Sequence, residues 1–484
     1  MSDFHATFPG YAATSVLDEL RVTEYTYLDD GGHVYLDYTG AGLPARSQIR
    51  VHAARLTENC FGNPHSGSPT STVSTQLIER ARATVLRFCN AMPDDYAVIF
   101  TPNATGACRL VGEAYPFRHS GRYVLTADNH NSVNGIRDFA RAGGAKVVYV
   151  PLEASEMRTA DADVRAALSH GHGDRPGLFA YPAQSNFTGV QHPLDWIAWA
   201  QSAGYDVLLD AAAYVPANRL DLTAVRPEFV AVSWYKVFGF PTGVGCLLAR
   251  RDALRRLKRP WFSGGTIWGA SVQGGWRRLL DGEGAFEDGT VDFLSIPDVT
   301  TGLNWIGGIG GIGGTGGTGV ELIGLRASNL TSWLLESLGK IRHTDGTPLV
   351  RVYGPLTSQA RGGTVAFNFL DPAGHVVDER AVARDSAAAG ISLRTGCFCN
   401  PGAGERALGA STKALRALRR IKPDVPVLLD DYLERVGLPT GGAVRVSFGV
   451  ASTLGDVEAF LDFAERTYRD RFPDLTGLSP RLQC

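Results

Sequence analysis

Phe229-Val-Ala-Val-Ser-Trp-Tyr-Lys-Val-Phe-Gly-Phe-Pro-Thr-Gly-Val-Gly-Cys-Leu-Leu-Ala249 is the stretch that decides how this chain folds. Two short apolar runs, Phe229 to Val232 and Cys246 to Ala249, flank a turn containing glycine and proline. Continuous rather than alternating apolar residues indicate strands covered on both faces. Between the runs stands Lys236, and an ammonium at a buried strand end is costly unless neutralised, paired or used covalently. Seen alone, such a lysine reads as a surface residue after a strand. Asp210, however, ends another apolar run, Val207-Leu-Leu209, twenty-six positions upstream. An acid and a lysine on neighbouring strand ends suit pyridoxal 5′-phosphate (PLP). The lysine forms a Schiff base with it, and the carboxylate keeps the pyridine nitrogen protonated.

Outward from this stretch the pattern repeats. Val98 to Thr101, Tyr123 to Thr126, Lys146 to Val150 and Leu178 to Tyr181 are further apolar runs, separated by crossover lengths. With the three runs above they predict an α/β fold around a mostly parallel seven-stranded sheet, with ligands at the carboxyl ends of strands. Thr364 to Phe369 alternates like a half-exposed strand and Glu379 to Ala389 is helical. Ile391 to Leu393 and Val444 to Ser447 are strands, and a last helix follows Thr453. These make a smaller α+β C-terminal domain. The expected division is an N-terminal segment 1–30 packing with the small domain, a large domain 31–305, a glycine-rich loop 306–320 and a small domain 321–484 carrying two cysteines on a loop.

A chain of 484 residues with net charge −2 and mixed charges has no basic stripe for nucleic acid. Asp298 and Glu321 bracket twenty-two uncharged residues, but glycine dominates them, so a flexible loop rather than a membrane span is expected. The G-x-G-x-x-G within that tract carries no dinucleotide signal without a strand–turn–helix context. The first thirty residues lack an export pattern, and seven scattered cysteines suit free thiols in a reducing cytoplasm.

Residues just after the runs carry the chemistry. Thr101-Pro-Asn-Ala-Thr-Gly106 offers amides and a hydroxyl at a helix start to a phosphate, or is an ordinary cap. His130 in Ala127-Asp-Asn-His130 is placed to stack on a cofactor ring and move protons. Asn186 in Pro182-Ala-Gln-Ser-Asn186 could donate to the ring's phenolic oxygen or to a substrate carboxylate. In Leu393-Arg-Thr-Gly-Cys-Phe-Cys-Asn-Pro-Gly402 two cysteines lie near Arg394 on a turn-rich loop, suited to exposure and thiolate stabilisation. A packed Cys pair is the structural alternative, and a metal site needs ligands this C-x-C does not supply. Arg445 could fork onto a carboxylate.

Asn63-Pro-His-Ser66, Asn129-His130, Pro182-Ala-Gln-Ser-Asn186, Asp210-Ala-Ala212, Ser233 to Gly243, Glu287-Asp-Gly-Thr290, Arg394 to Gly402 and Val444-Arg-Val-Ser-Phe-Gly449 resemble the aminotransferase-like domain of molybdenum cofactor sulfurases. More broadly they are similar to class V aminotransferases of the cysteine desulfurase type, over about residues 30–465. The resemblance implies PLP fold type I and a PLP-dependent sulfurtransferase. It assigns Lys236 to the Schiff base, Asp210 to the pyridine nitrogen and His130 to the ring face. Ala104, Thr105, Ser233 and Tyr235 go to the phosphate side, and Asn186 to cofactor and substrate. Thr266, in Ser263-Gly-Gly-Thr266, resembles a phosphate contact borrowed from a second subunit, which implies a homodimer. Arg445, Arg394, Asn186 and His65 are the substrate-binding candidates, Cys399 the sulfur acceptor, and no metal is expected. Three departures stand out: Ala213 where many relatives have a polar side chain, the glycine tract, and an end at Cys484 without the C-terminal molybdopterin-handling domain. The expected activity is therefore cysteine desulfuration: L-cysteine gives alanine, and sulfur passes as a Cys399 persulfide to an acceptor protein or cofactor. The alternative is a PLP-dependent C–S lyase, epimerase or transaminase-like enzyme of a specialised biosynthetic pathway.

Overall fold

The computed structural model describes residues 2–169, 177–311, 318–418 and 429–481. Seven strands build the larger sheet: β1 (Tyr96–Thr101), β2 (Arg122–Thr126), β3 (Lys146–Val150), β4 (Gly177–Pro182), β5 (Asp206–Asp210), β6 (Phe229–Ser233) and β7 (Gly245–Arg250). They lie in the order β1-β7-β6-β5-β4-β2-β3. β7 alone of the seven runs against its neighbours β1 and β6, and the other pairs are parallel. Side chains alternate across a strand. Here both faces are covered: Val230 and Val232 join one core with Val98, Phe100, Val207 and Leu209, while Phe229 and Ala231 join another with Ala97, Ile99 and Leu208. That two-sided burial is why the runs are continuously apolar.

Helix α1 (Ala104–Ala114) follows β1 and packs on β6 and β7. Helices α2 (Pro297–Gly308) and α3 (Thr318–Lys340) enter the glycine tract from either side. The loop expected over 306–320 is therefore shorter at both ends, and residues 312–317 lie outside the described residues. The helices extend because Leu303 and Ile306 of α2 and Val320 and Ile323 of α3 all join the first core.

A second sheet holds β8 (Val350–Tyr353), β9 (Thr364–Phe369), β10 (Arg394–Gly396) and β11 (Ala443–Ser447), antiparallel in the order β8-β9-β11-β10. Helix α4 (Pro401–Ala407) follows the cysteine loop, and α5 (Leu454–Tyr468) packs over the sheet with α3. β9 is buried along its whole length rather than half exposed. Its polar-looking side is covered: Asn368 accepts from the Tyr353 hydroxyl (2.8 Å) and donates to the Gly442 carbonyl (3.3 Å). Phe4 and Tyr11 insert into this same core beside Leu330 and Leu334. Arg326 of α3, fully buried, bonds Tyr11, Thr14 and Asp18. Among the described residues no helix is long and apolar enough to cross a membrane.

Candidate active site

The carboxyl ends of the parallel strands open into a cavity of about 250 Å³. Its lining includes Ala104, Thr105, His130, Asn186, Asp210, Ser233, Tyr235 and Lys236, eight of the residues singled out from sequence. The strand-end rule accounts for the convergence. Lys236 sits on the one-turn helix after β6, and Asp210 ends the adjacent β5 with its carboxylate accepting from the Ala212 amide (3.0 Å). α1 starts at the cavity. Asn103 caps it by accepting from Gly106 N (2.9 Å), and the Ala104 amide donates to Ser233 Oγ (2.8 Å). The Thr105 and Ser132 hydroxyls are 2.7 Å apart. A helix N-terminus with three hydroxyls suits an anionic group.

Burial pulls the Lys236 amine below its ordinary value, and the nearby Asp210 carboxylate opposes that only in part. Burial also lowers His130, against the opposite pull of Asp210, with Lys236 and Arg445 adding to the lowering. Burial thus makes the neutral, proton-accepting form of each group easier to reach. His130 Nδ1 accepts from the Ser132 amide (3.1 Å), which leaves the ring proton on Nε2. The turn carrying it is fixed by Asn129, whose amide donates to Thr126 O, Thr126 Oγ1 and Ala180 O. Under this turn Asp128 and His192 form a buried pair at 2.8 Å.

The cysteine loop docks on the same turn. The Cys399 carbonyl accepts from Asn131 N (2.7 Å), the residue after His130. Asn186 Nδ2 donates to Phe398 O (2.8 Å). Asn400, completely buried, donates to Asp128 O (2.7 Å) and Asn186 Oδ1 (2.9 Å) and caps α4 by accepting from Ala403 N (3.2 Å). A Cβ at position 402 would lie 2.0 Å from Ala127 O, so only glycine permits this approach. Phe398 and Cys399 are both left-handed, at φ 54° and 51°. Cys399 is exposed with a free thiol. Cys397 is in a disulfide, contrary to the expectation of free thiols throughout, so of the C-x-C pair only Cys399 offers a nucleophile.

Arg394 and Arg445 are both near Lys236 electrostatically. Arg445 is buried and already engaged, donating to Asn186 O (2.9 Å) and Asp37 Oδ1 (2.9 Å) with its guanidinium 4.7 Å over the Phe398 ring. Arg394 is half exposed and holds Asp37 Oδ2 through Nη2 (2.8 Å) and Nε (3.0 Å). It is thus Asp37, not a thiolate, that Arg394 engages. Arg394, Arg445 and Cys399 lie outside the cavity's lining, and so do His65 and Thr266. The last two meet at the Ser263–Thr266 turn, where His65 lies against Gly265 and Thr266 donates to Ser263 O (2.6 Å). Asp37, Asn400 and the Asp128–His192 pair were not singled out from sequence. Only for Asp37 was there a signal, an acid directly after the apolar Val34-Tyr-Leu36. Among the described residues no group of three or more His, Cys, Asp or Glu is placed to hold a metal ion.

The chain is 36% identical to human molybdenum cofactor sulfurase over 94% of its own length and 51% of that protein, and 35% identical to the Solanum lycopersicum molybdenum cofactor sulfurase over 98% and 60%. It therefore spans between half and three-fifths of the length of these curated relatives. Among solved structures it superposes on the apo cysteine desulfurase of Thermococcus onnurineus NA1 with a TM-score of 0.74 at 22% identity, covering 93% of this chain and 97% of that one. The Escherichia coli cysteine desulfurase CsdA follows at 0.70 and 22%, covering 93% and 98%. A C-DES mutant with glycine covalently linked to its PLP cofactor superposes at 0.66 and 18%, covering 92% and 99%. The fold is the PLP fold type I of the two cysteine desulfurases. Residues 34–460 match the class V aminotransferase model, and the chain belongs to that family.

Proposed function

We propose that this protein is a PLP-dependent enzyme that takes sulfur from L-cysteine as a persulfide on Cys399, releases alanine and passes the sulfur to an acceptor protein or cofactor. The observation that carries the reading is the docking of the Cys399 loop on the His130 turn, beside the cavity that holds Lys236 and Asp210. The names of the relatives and of the structural neighbours support it. The cavity suits PLP. It combines an amine whose pKa burial lowers, an acid at the next strand end, and a helix N-terminus with hydroxyls. Lys236, Asp210, His130, Asn186, Ala104, Thr105, Ser233 and Tyr235 would hold it.

When bound, PLP supplies the electron sink that lets the Cα–H and Cβ–S bonds of the amino acid break. Lys236 is the base that takes the α-proton: burial lowers its pKa from the ordinary value, which makes the free amine easier to reach. His130, neutral with its proton on Nε2, is a second donor at the same cavity. Cys399 attacks the substrate sulfur in the thiolate form that such a displacement requires. A new S–S bond forms as the Cβ–S bond breaks, the electron pair stays with carbon, and that carbon takes a proton. One sulfur moves, and cysteine minus that sulfur is alanine. A cytoplasmic location and a homodimer belong to the same proposal. The second is supported by Thr266, which its own cavity does not use; for the first, five free thiols among the described residues stand against the disulfide at Cys397.

The test is the holoprotein with L-cysteine and no reductant, reading alanine and intact mass. Alanine with one added sulfur on the Cys399 peptide is expected. Cys399→Ser should keep the cofactor's absorption and lose the added sulfur. Cofactor binding without alanine or added sulfur would overturn the reading.

A further inference from the structure

Arg394 of β10 and Arg445 of β11 are direct cross-strand partners. Like charges directly opposite repel, and here one of the two is buried. The repulsion is relieved from a distant part of the sequence. Asp37, bridged to Ser447 beside β11, puts one carboxylate oxygen on each arginine, at 2.9 Å to Arg445 and 2.8 Å to Arg394. The cluster is built tightly. A Cβ on Gly40 would fall 2.4 Å from Asp37 Oδ2 and 2.7 Å from Arg394 Nη2, so a larger residue there would displace the ion pair. Arg445 Nε is buried and has no hydrogen-bond partner among the described residues, leaving a donor in reserve.

We infer that Asp37 is a specificity-determining residue: with the two arginines, which stand next to the cavity through the bond of Arg445 to Asn186 O, it limits the site to amino acids carrying a single carboxylate. This rests on the reading of the cavity as an amino-acid site. Two guanidinium groups and one carboxylate leave a surplus of one positive charge, matched by one substrate carboxylate. A second carboxylate, as in aspartate, meets Asp37 with no cation left to receive it. Without Asp37 the surplus doubles, and the arginines accept a dicarboxylate through the donors that Asp37 now occupies.

The experiment uses PLP-loaded protein titrated with L-alanine and with L-aspartate, reading dissociation constants from the cofactor's absorbance. Wild type should favour alanine, and Asp37→Asn should shift the alanine-to-aspartate ratio at least tenfold toward aspartate. The double variant D37N/R394M restores a surplus of one and should return the ratio toward wild type. It also serves if D37N, with two unrelieved cations, fails to fold. An unchanged ratio in D37N with intact alanine binding overturns the role of Asp37 alone. A double variant that keeps the aspartate preference overturns the charge argument. Wild-type protein that binds PLP but shows no response to alanine, aspartate or cysteine overturns the amino-acid site itself, and this inference with it.

Discussion

Asn400→Ala should undock the cysteine loop without unfolding the protein. The side chain is wholly buried and makes three hydrogen bonds, to Asp128 O, Asn186 Oδ1 and Ala403 N. Truncation strands two acceptors and uncaps α4. Each buried group left without a partner costs about 1–3 kcal/mol, and a lost cap about 1 kcal/mol. These terms share one site and do not add fully. A working loss of about 3 kcal/mol corresponds to a shift of about 100-fold in the docked-to-undocked ratio. The cost falls on the loop because the cores of both sheets are untouched. Hydrogen exchange by mass spectrometry should therefore show amides of the 397–406 segment and Asn131 N exchanging about 100-fold faster. β1 to β7 should keep their protection. Asn400→Asp preserves size and the cap but faces two acceptors with an acid, so it should accelerate exchange as well. Exchange at Asn131 unchanged in both variants would refute the clamp.

Further outcomes follow from the electrostatics and the N-terminal anchor. In apoprotein, reductive labelling of Lys236 by a small aldehyde should reach half its maximum below pH 10.5, the amine's ordinary value, because burial disfavours the ammonium. Asp210→Asn should lower that midpoint further, since the Asp210 charge is what favours the ammonium. A midpoint that rises would show the sign to be wrong. By linkage, the cost of charging Lys236 is present below its folded value and fades as pH rises toward 10.5. Lys236→Met apoprotein should accordingly melt higher than wild type at neutral pH. Arg326→Met leaves Thr14 O and Ser452 O without their buried donor. It should cost about 3 kcal/mol and expose residues 2–24 to protease, read by a lowered thermal midpoint and early N-terminal cleavage. Wild-type protease resistance would remove Arg326 as the anchor.

The large sheet was legible because burial on both faces forces continuous apolar runs, and the catalytic candidates were legible because they follow those runs. Lys236, Asp210, His130 and Asn186 needed no knowledge of distant contacts. Asp37 and Asn400 did. Asp37 meets Arg445 across 408 positions, and Asn400 meets Asp128 across 272. Nothing in a local window marks either pairing. β9 misled for a related reason. Thr364, Ala366 and Asn368 look solvent-facing, but a small apolar cluster of Phe187, Phe398, Ala403 and Ala443 gathers around Ala366. The glycine tract suggested flexibility by composition, while core packing by Ile306 and Val320 extends helix into both of its ends.

The two consecutive left-handed residues at 398 and 399 hold the Cys399 loop under backbone strain. Side chains other than glycine, asparagine and aspartate pay roughly 1–3 kcal/mol each in that region. Phenylalanine and cysteine are poor choices for it, so the coiled backbone lasts only while Asn131, Asn186 and Asn400 grip its carbonyls and cap. Releasing those grips frees both residues to leave the left-handed region, so the strain at 398 and 399 is held in place by the docking contacts themselves.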